Sequence, residues 1–227
     1  MSQNNMKKGF ELHDEVHKNR FRVSIFGSAR IKPNNKYYRE VVDLAYMLGD
    51  AGIDVVSGGG PGIMEAANFG HEKGRSLHDN NHTVSYGLTI KLPKEQRDNK
   101  HFDMKKDFTN FTKRLDTFVQ LSNAVVVATG GVGTLLEFLY AWQLVQVEKI
   151  YDFPIIMLGD QWPPLIEWIK KGPLKHKLLN ADDLKSIYLT KNSKEAFKVI
   201  KKHYDAFKKT NKALKISKDP FKANWKK

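Results

Sequence analysis

The sequence predicts one α/β domain, a Rossmann-like, doubly wound and mainly parallel sheet flanked by helices. Three observations carry this expectation. Short β-branched apolar runs alternate with amphipathic helical stretches from Phe21 onward, as strands and crossover helices do in a parallel sheet. Two of these runs pass directly into glycine-rich turns that open helices, at Ser57-Gly58-Gly59-Gly60-Pro61-Gly62 and at Thr129-Gly130-Gly131-Val132-Gly133-Thr134. The 227 residues suffice for one domain with a substantial core, and neither an internal repeat nor a linker-like stretch divides them.

In chain order, Met1 to Arg20 reads as a polar leader with helical tendency. His13 and His17 share a helix face, but the HExxH arrangement is absent and no third ligand is evident, so an exposed pair and no metal site are expected. Phe21 to Phe26 is the first strand and ends in Gly27-Ser28-Ala29-Arg30, with Ser28 and Arg30 placed to meet a ligand at the strand end. This turn lacks the G-x-G-x-x-G fingerprint, and no GK[ST] follows any glycine loop, which argues against a standard NAD site and a Walker-type NTPase. Tyr37 to Ala51 is a helix with Val41, Leu44, Ala45 and Leu48 on one side, and Gly52 stops it.

Ile53 to Val56 is the second strand. The helix after it begins near Gly62 with Pro61 at its first position, buries Ile63, Met64 and Ala67, and fades near Gly70 to Gly74. Ser76 to His82 is a polar loop, and Thr83 to Leu92 is a third strand running into Pro93. Pro93 to Asp107 reads as a polar loop long enough to cover a crevice. Thr109 caps a helix that runs through Ser122, with Phe111, Leu115, Phe118 and Leu121 on its apolar side. Arg114 lies beside that side, so it is held near the sheet. A guanidinium there either grips phosphate or snorkels from a buried stem. Ala124 to Ala128 is a strand, Leu135 to Lys149 a helix and Phe153 to Leu158 a strand. A helix from Trp162-Pro163-Pro164, a short strand at Ile187 to Leu189 and a helix from Ser193 complete the pattern.

Composition sets further bounds. Without cysteine there is no disulfide framework, thiolate zinc site or cysteine nucleophile. The absence of a membrane-spanning apolar run and of a signal-peptide pattern points to a cytoplasmic protein with no membrane partner. The net charge is +13, and residues 206–227 carry eight lysines against one acid, Asp219, or +7 of it. The leader (1–20), the α/β domain (21–205) and this basic tail (206–227) are read as separate regions. A basic arm for nucleic acid is one reading of the tail. A solvated terminus that docks its few apolar residues is preferred, because no base-stacking motif accompanies the lysines.

Strand, glycine turn and helix together aim backbone N–H groups and a positive helix end at an anion. Thr134 either caps its helix or donates to a phosphate oxygen. Glu137 repels a bound phosphate at short range, which points to a second task such as gripping sugar hydroxyls or activating water. The plainer alternative, a tight turn with a helix-stabilising glutamate, accounts for one such stretch more easily than for two facing the same crevice.

The motifs at 58–68 (Gly-Gly-Gly-Pro-Gly-Ile-Met-Glu-Ala-Ala-Asn) and 130–137 (Gly-Gly-x-Gly-Thr-x-x-Glu) together resemble the LOG ("Lonely guy") family. Its members are cytokinin riboside 5′-monophosphate phosphoribohydrolases, often labelled possible lysine decarboxylases. The resemblance covers roughly residues 20–200 and includes Leu92-Pro93-x-Glu95-Gln96. It implies catalytic roles for Arg114 and Glu137. It also implies phosphate or nucleotide binding by Ser28, Gly58, Gly59, Gly60, Gly62, Glu65, Gly130, Gly131, Gly133 and Thr134. The implied reaction cleaves the N-glycosidic bond of a nucleoside 5′-monophosphate, AMP or an N6-modified AMP, with no cofactor, in a homodimer or larger homo-oligomer. Two positions depart from the family pattern: Thr129 replaces a proline and Leu115 replaces the lysine of an Arg-Lys pair. A lysine decarboxylase is not expected, since nothing identifies a Schiff-base lysine or a pyridoxal phosphate cradle. A non-catalytic nucleotide carrier or sensor is the alternative, and nucleic acid is a less favoured partner.

Overall fold

A computed structural model describes residues 8–78, 82–91, 97–150 and 153–210. Among them lie eight strands, all parallel: β1 (Lys8–Gly9), β2 (Arg22–Phe26), β3 (Asp54–Ser57), β4 (Ser85–Ile90), β5 (Met104–Phe108), β6 (Ala124–Val127), β7 (Ile155–Leu158) and β8 (Ile187–Thr190). Their order is β1-β5-β4-β3-β2-β6-β7-β8, so the winding reverses between β2 and β6. That reversal opens a crevice above the carboxyl ends of the two strands, where doubly wound sheets bind ligands.

Alternation along the strands builds two cores. Val23 and Ile25 of β2 and Val126 of β6 face α2 (Lys36–Asp50), α3 (Ile63–Arg75) and α7 (Ser193–Thr210). Phe26, Val125 and Val127 face α1 (Leu12–His17), α4 (Phe111–Leu121), α5 (Val132–Gln146) and α6 (Pro163–Ile169). Both faces are covered, so the inner strands are apolar on both sides and read as continuous hydrophobic runs. None of the described helices is long and apolar enough to cross a membrane.

Several elements differ from the sequence expectation. The leader is not merely polar: β1 pairs with β5, and Phe10 and Val16 join the core. The stretch expected as a loop through Asp107 contains β5, whose sequence Met-Lys-Lys-Asp-Phe lacks apolar alternation. It is a near-edge strand whose lysines bury their stems and bind neighbours, Lys105 to Asp98 and Asp107, and Lys106 to the Phe10 carbonyl. The α4 cap is Asn110, which accepts from the Lys113 N–H at 3.1 Å, rather than Thr109. Helix α5 begins at Val132, a turn before the expected start. Leu92, Pro93, Glu95, Gln96 and the tail from residue 211 lie outside the described residues.

Helix α3 does not fade at its glycines. A Cβ at Gly70 would strike the Val42 carbonyl of α2, and one at Gly74 the Tyr46 carbonyl. These glycines let two helix backbones touch, and the packing gained outweighs their poor helix propensity. At the opposite, amino edge of the sheet, buried Glu15 accepts from the Tyr86 hydroxyl at 2.7 Å and the Lys18 ammonium at 2.6 Å, with the Arg22 guanidinium at 3.4 Å. Burial opposes ionisation of Glu15, but those two hydrogen bonds and the nearby charges hold its pKa below the ordinary value.

Two stability effects are expected. Gly74→Ala forces α2 and α3 apart and costs about 2 kcal/mol in urea unfolding. Glu15→Ala leaves buried Arg22 with Asp54, 3.8 Å away, as its remaining carboxylate and costs about 3 kcal/mol near neutral pH. Because the folded-state pKa of Glu15 is depressed, its contribution is present above the unfolded value of 4.5 and disappears as pH falls through the folded one, so this second penalty shrinks in acid.

Candidate active site

Ser28, two residues past β2, sits between the two glycine turns. Its N–H donates to the Thr129 carbonyl at 3.1 Å and its own carbonyl accepts from the Ile63 N–H at 3.0 Å. Position 62 must be glycine: φ is +69°, and a side chain would run into the Ser28 carbonyl and Ala29. The ends of β2 and β6 and the start of α3 are thereby fixed to one another.

The turn after β3 serves as a seat. A Cβ at Gly58 would lie 2.5 Å from both Nη2 of Arg114 and Sδ of Met64, so glycine here lets the guanidinium and the thioether rest on this backbone. Arg114 is 8% exposed, donates from Nε to the Leu88 carbonyl at 2.7 Å and stacks its charge over Phe118 at 5.0 Å. Its Nη1 lies 3.6 Å from Oε1 of Glu137 on α5, whose side chain is 15% exposed. Burial lowers the Arg114 pKa against the pull of Glu137, and the guanidinium remains a cation. Burial also pushes the Glu137 carboxyl up to about 7, although Arg114 opposes the rise. The pair is thus a desolvated cation beside a carboxyl that changes charge near neutrality.

The turn after β6 is open. Gly131 caps α5 without a side-chain hydrogen bond to the helix start, and nothing lies within 4 Å of a Cβ built at Gly131 or Gly133. The first-turn amides of this fifteen-residue helix face that opening, an arrangement suited to an anion. Thr134 is buried, folded back on Gly130. Gly130 is engaged at both its backbone groups by the side-chain amide of Gln161, at 3.1 and 2.6 Å.

The structure therefore brings together Arg114, Glu137 and Gly58, and places Gly131, Gly133 and Thr134 at the helix start beside Glu137. Gly59 and Gly60 are held from behind: Asn99 donates its N–H to the Gly59 carbonyl at 2.8 Å and its amide to the Gly60 carbonyl at 2.9 Å. Glu65 lies in the first turn of α3, and after burial its charge helps push the Tyr38 hydroxyl up to about 12. Leu115 is buried, so the position that is lysine in the resembled motif faces packing here. The Thr129 hydroxyl oxygen is buried without a partner. A cavity of about 630 Å³ lies beyond Thr129, over the ends of β6 to β8, lined by Tyr37, Val41, Leu158 and Leu189 among others. It includes neither Arg114 nor Glu137. Sequence reasoning passed over Asn68, Asn99 and Gln161. The one available signal was a lone asparagine on the apolar side of α3.

Residues 55–200 match the family described as possible lysine decarboxylase, and the chain belongs to that family. No curated protein matches it in sequence. Among solved structures it is similar to the molybdenum cofactor binding protein of Rippkaea orientalis, at 17% identity and a TM-score of 0.60, over 81% of this chain and 96% of that one. It is also similar to the molybdenum cofactor carrier protein of Chlamydomonas reinhardtii, at 17% identity and 0.61, over 82% and 99%. DNA processing protein A of Helicobacter pylori gives 18% identity and 0.52, over 86% and 85%. At these identities the likeness establishes the fold.

The Glu137 environment carries a stability signature. Its folded-state pKa of about 7 exceeds the ordinary 4.5, so the fold prefers the protonated form, and ionisation costs stability as pH rises across that window. Urea unfolding from pH 4.5 to 8 is expected to show a fall of about 3 kcal/mol in wild type relative to Glu137→Gln, which lacks the titrating group.

Proposed function

Taking membership of this family as the premise, we propose that the protein hydrolyses the N-glycosidic bond of a nucleoside 5′-monophosphate, AMP or an N6-modified AMP, releasing the free base and ribose 5-phosphate. The observation that carries this reading is the buried Arg114–Glu137 pair at 3.6 Å beside the open start of α5. A site that only held phosphate would gain nothing from a carboxylate there.

In this reading the first-turn amides of α5, with Gly131, Gly133 and Thr134, receive the phosphate. The ribose then lies toward Glu137. As the bond between C1′ and the base nitrogen lengthens, its electron pair leaves with the base, and positive charge grows on the sugar. The Glu137 carboxylate stabilises that charge and takes a proton from the attacking water, whose oxygen bonds to C1′. A proton from solvent neutralises the base. Arg114 orients Glu137 and lowers the cost of its charged form. With the carboxyl titrating near 7, the active form predominates only above that pH. Leu115 and Thr129 leave the base preference and the turnover set by this chain's own residues rather than by the resembled pattern.

A homodimer fits this reading. Helix α5 leaves Val132 (84% exposed), Leu136 and Leu139 open along its outer side, and Val147 is exposed just past its end. The second reading, a non-catalytic carrier of a phosphate-bearing ligand in the cytoplasm, is favoured by the cavity beyond Thr129 and by the likeness to cofactor-binding proteins.

The test is chromatographic. Purified protein is incubated with each common nucleoside 5′-monophosphate and one N6-prenyl-AMP. Wild type is expected to release free base, with kcat/KM rising through pH 7, and Glu137→Ala to be at least about 100-fold slower. Tight nucleotide binding without any free base would replace the hydrolase with the carrier.

A further inference from the structure

Asn68 of α3 is fully buried at the back of the first glycine turn. Its Oδ1 accepts from the Ser57 hydroxyl at 2.6 Å and from the Asn99 amide at 3.0 Å, while its Nδ2 donates to the Ser85 hydroxyl at 2.6 Å. Ser57 in turn accepts from the Gly59 N–H at 3.0 Å. Asn99 passes the constraint to the carbonyls of Gly59 and Gly60. One side chain thus ties the ends of β3 and the start of β4, the segment around Asn99 and both residues that follow Gly58.

We propose that Asn68 is a positioning residue for the Arg114–Glu137 pair, acting through the height of the Gly58 backbone on which the guanidinium rests. The inference builds on the hydrolase reading but has a readout outside it. Arg114 has two fixed points, the Leu88 carbonyl and the Gly58 seat. Freeing the seat lets the guanidinium move from Glu137 while the open start of α5, held by Gln161 and β6, stays in place. Loss of Asn68 therefore separates turnover from anion binding. An aspartate at this position can accept from Ser57, Asn99 and Ser85 alike, because the Ser85 hydroxyl can reverse its role. It is the conservative variant that restores the network.

The experiment compares wild type, Asn68→Ala, Asn68→Asp, Arg114→Ala and the Asn68→Ala/Arg114→Ala double variant as full chains. Ribose 5-phosphate affinity is measured by calorimetry, AMP and N6-prenyl-AMP hydrolysis by chromatography, and the Glu137 side-chain carboxyl titration by carbon-13 NMR. In Asn68→Ala, kcat is expected to fall about tenfold or more, with ribose 5-phosphate affinity kept within about threefold. The Glu137 midpoint is expected to move up by roughly half a unit. Asn68→Asp recovers most of the turnover, while its own buried charge keeps the Glu137 midpoint raised. In the Arg114→Ala background Asn68→Ala adds nothing, as expected for groups acting in series.

Three results overturn the proposal: equal losses of turnover and ribose 5-phosphate affinity, an unmoved Glu137 midpoint in Asn68→Ala, or full additivity with Arg114→Ala. If wild type hydrolyses nothing, the enzyme reading fails by itself, and the Glu137 titrations still decide the role of Asn68. If Asn68→Ala does not fold, Ser85→Ala, which removes one outer partner of the same network, carries the same titration.

Discussion

The close approach of the Arg114 guanidinium to the backbone of Gly58 is the contact on which the site depends. A cation can be held that deep only where an acceptor, an aromatic face and a counter-charge converge, here Leu88, Phe118 and Glu137. Each comes from a different element: the end of β4, α4 itself and α5. The pair therefore reports the register of the whole carboxyl edge. Moving any of these elements by an ångström leaves a buried charge with fewer partners. Arg114 is thus tied to the fold more tightly than the exposed ion pairs of the surface, such as Lys171–Glu167 or Lys185–Asp182.

The two glycine turns divide the labour unequally. The first is occupied by protein groups, with Arg114 above it and Asn99 and Ser57 behind it. The second keeps its helix start open. Two turns of like sequence thus differ in what lies over them, side chains in the first and open space in the second. The reason is steric: Gly58 is covered by a side chain from the same molecule, whereas Gly131 and Gly133 face open space.

Much of this was legible in the sequence. The inner strands are apolar on both sides and their turns are marked by glycine, so the sheet class and the turn positions stood out. Arg114 and Glu137 emerged from their places beside an apolar helix face and past a glycine turn. Three features were hidden. Strand β5 is lysine-rich because it lies near the edge, where alternation is not enforced. Gly70 and Gly74 read as helix breakers, although contact with α2 turns them into packing residues. The polar network around Asn68 joins positions 57, 68, 85 and 99, and periodicity along one element carries no information about partners so far apart.

The pairing of β1 with β5 has a consequence for how the chain is made. Lys8 lies opposite Met104, so the first strand waits for a partner almost a hundred residues later. At translation rates of about 5–20 residues per second, that interval lasts roughly 5–20 seconds. Meanwhile β2, β3 and the packed α2–α3 pair, whose contacts are closer in sequence, have every element they need to assemble. The amino-terminal strand therefore has no sheet partner until β5 has been made, and its pairing closes one of the longest loops of this half of the sheet.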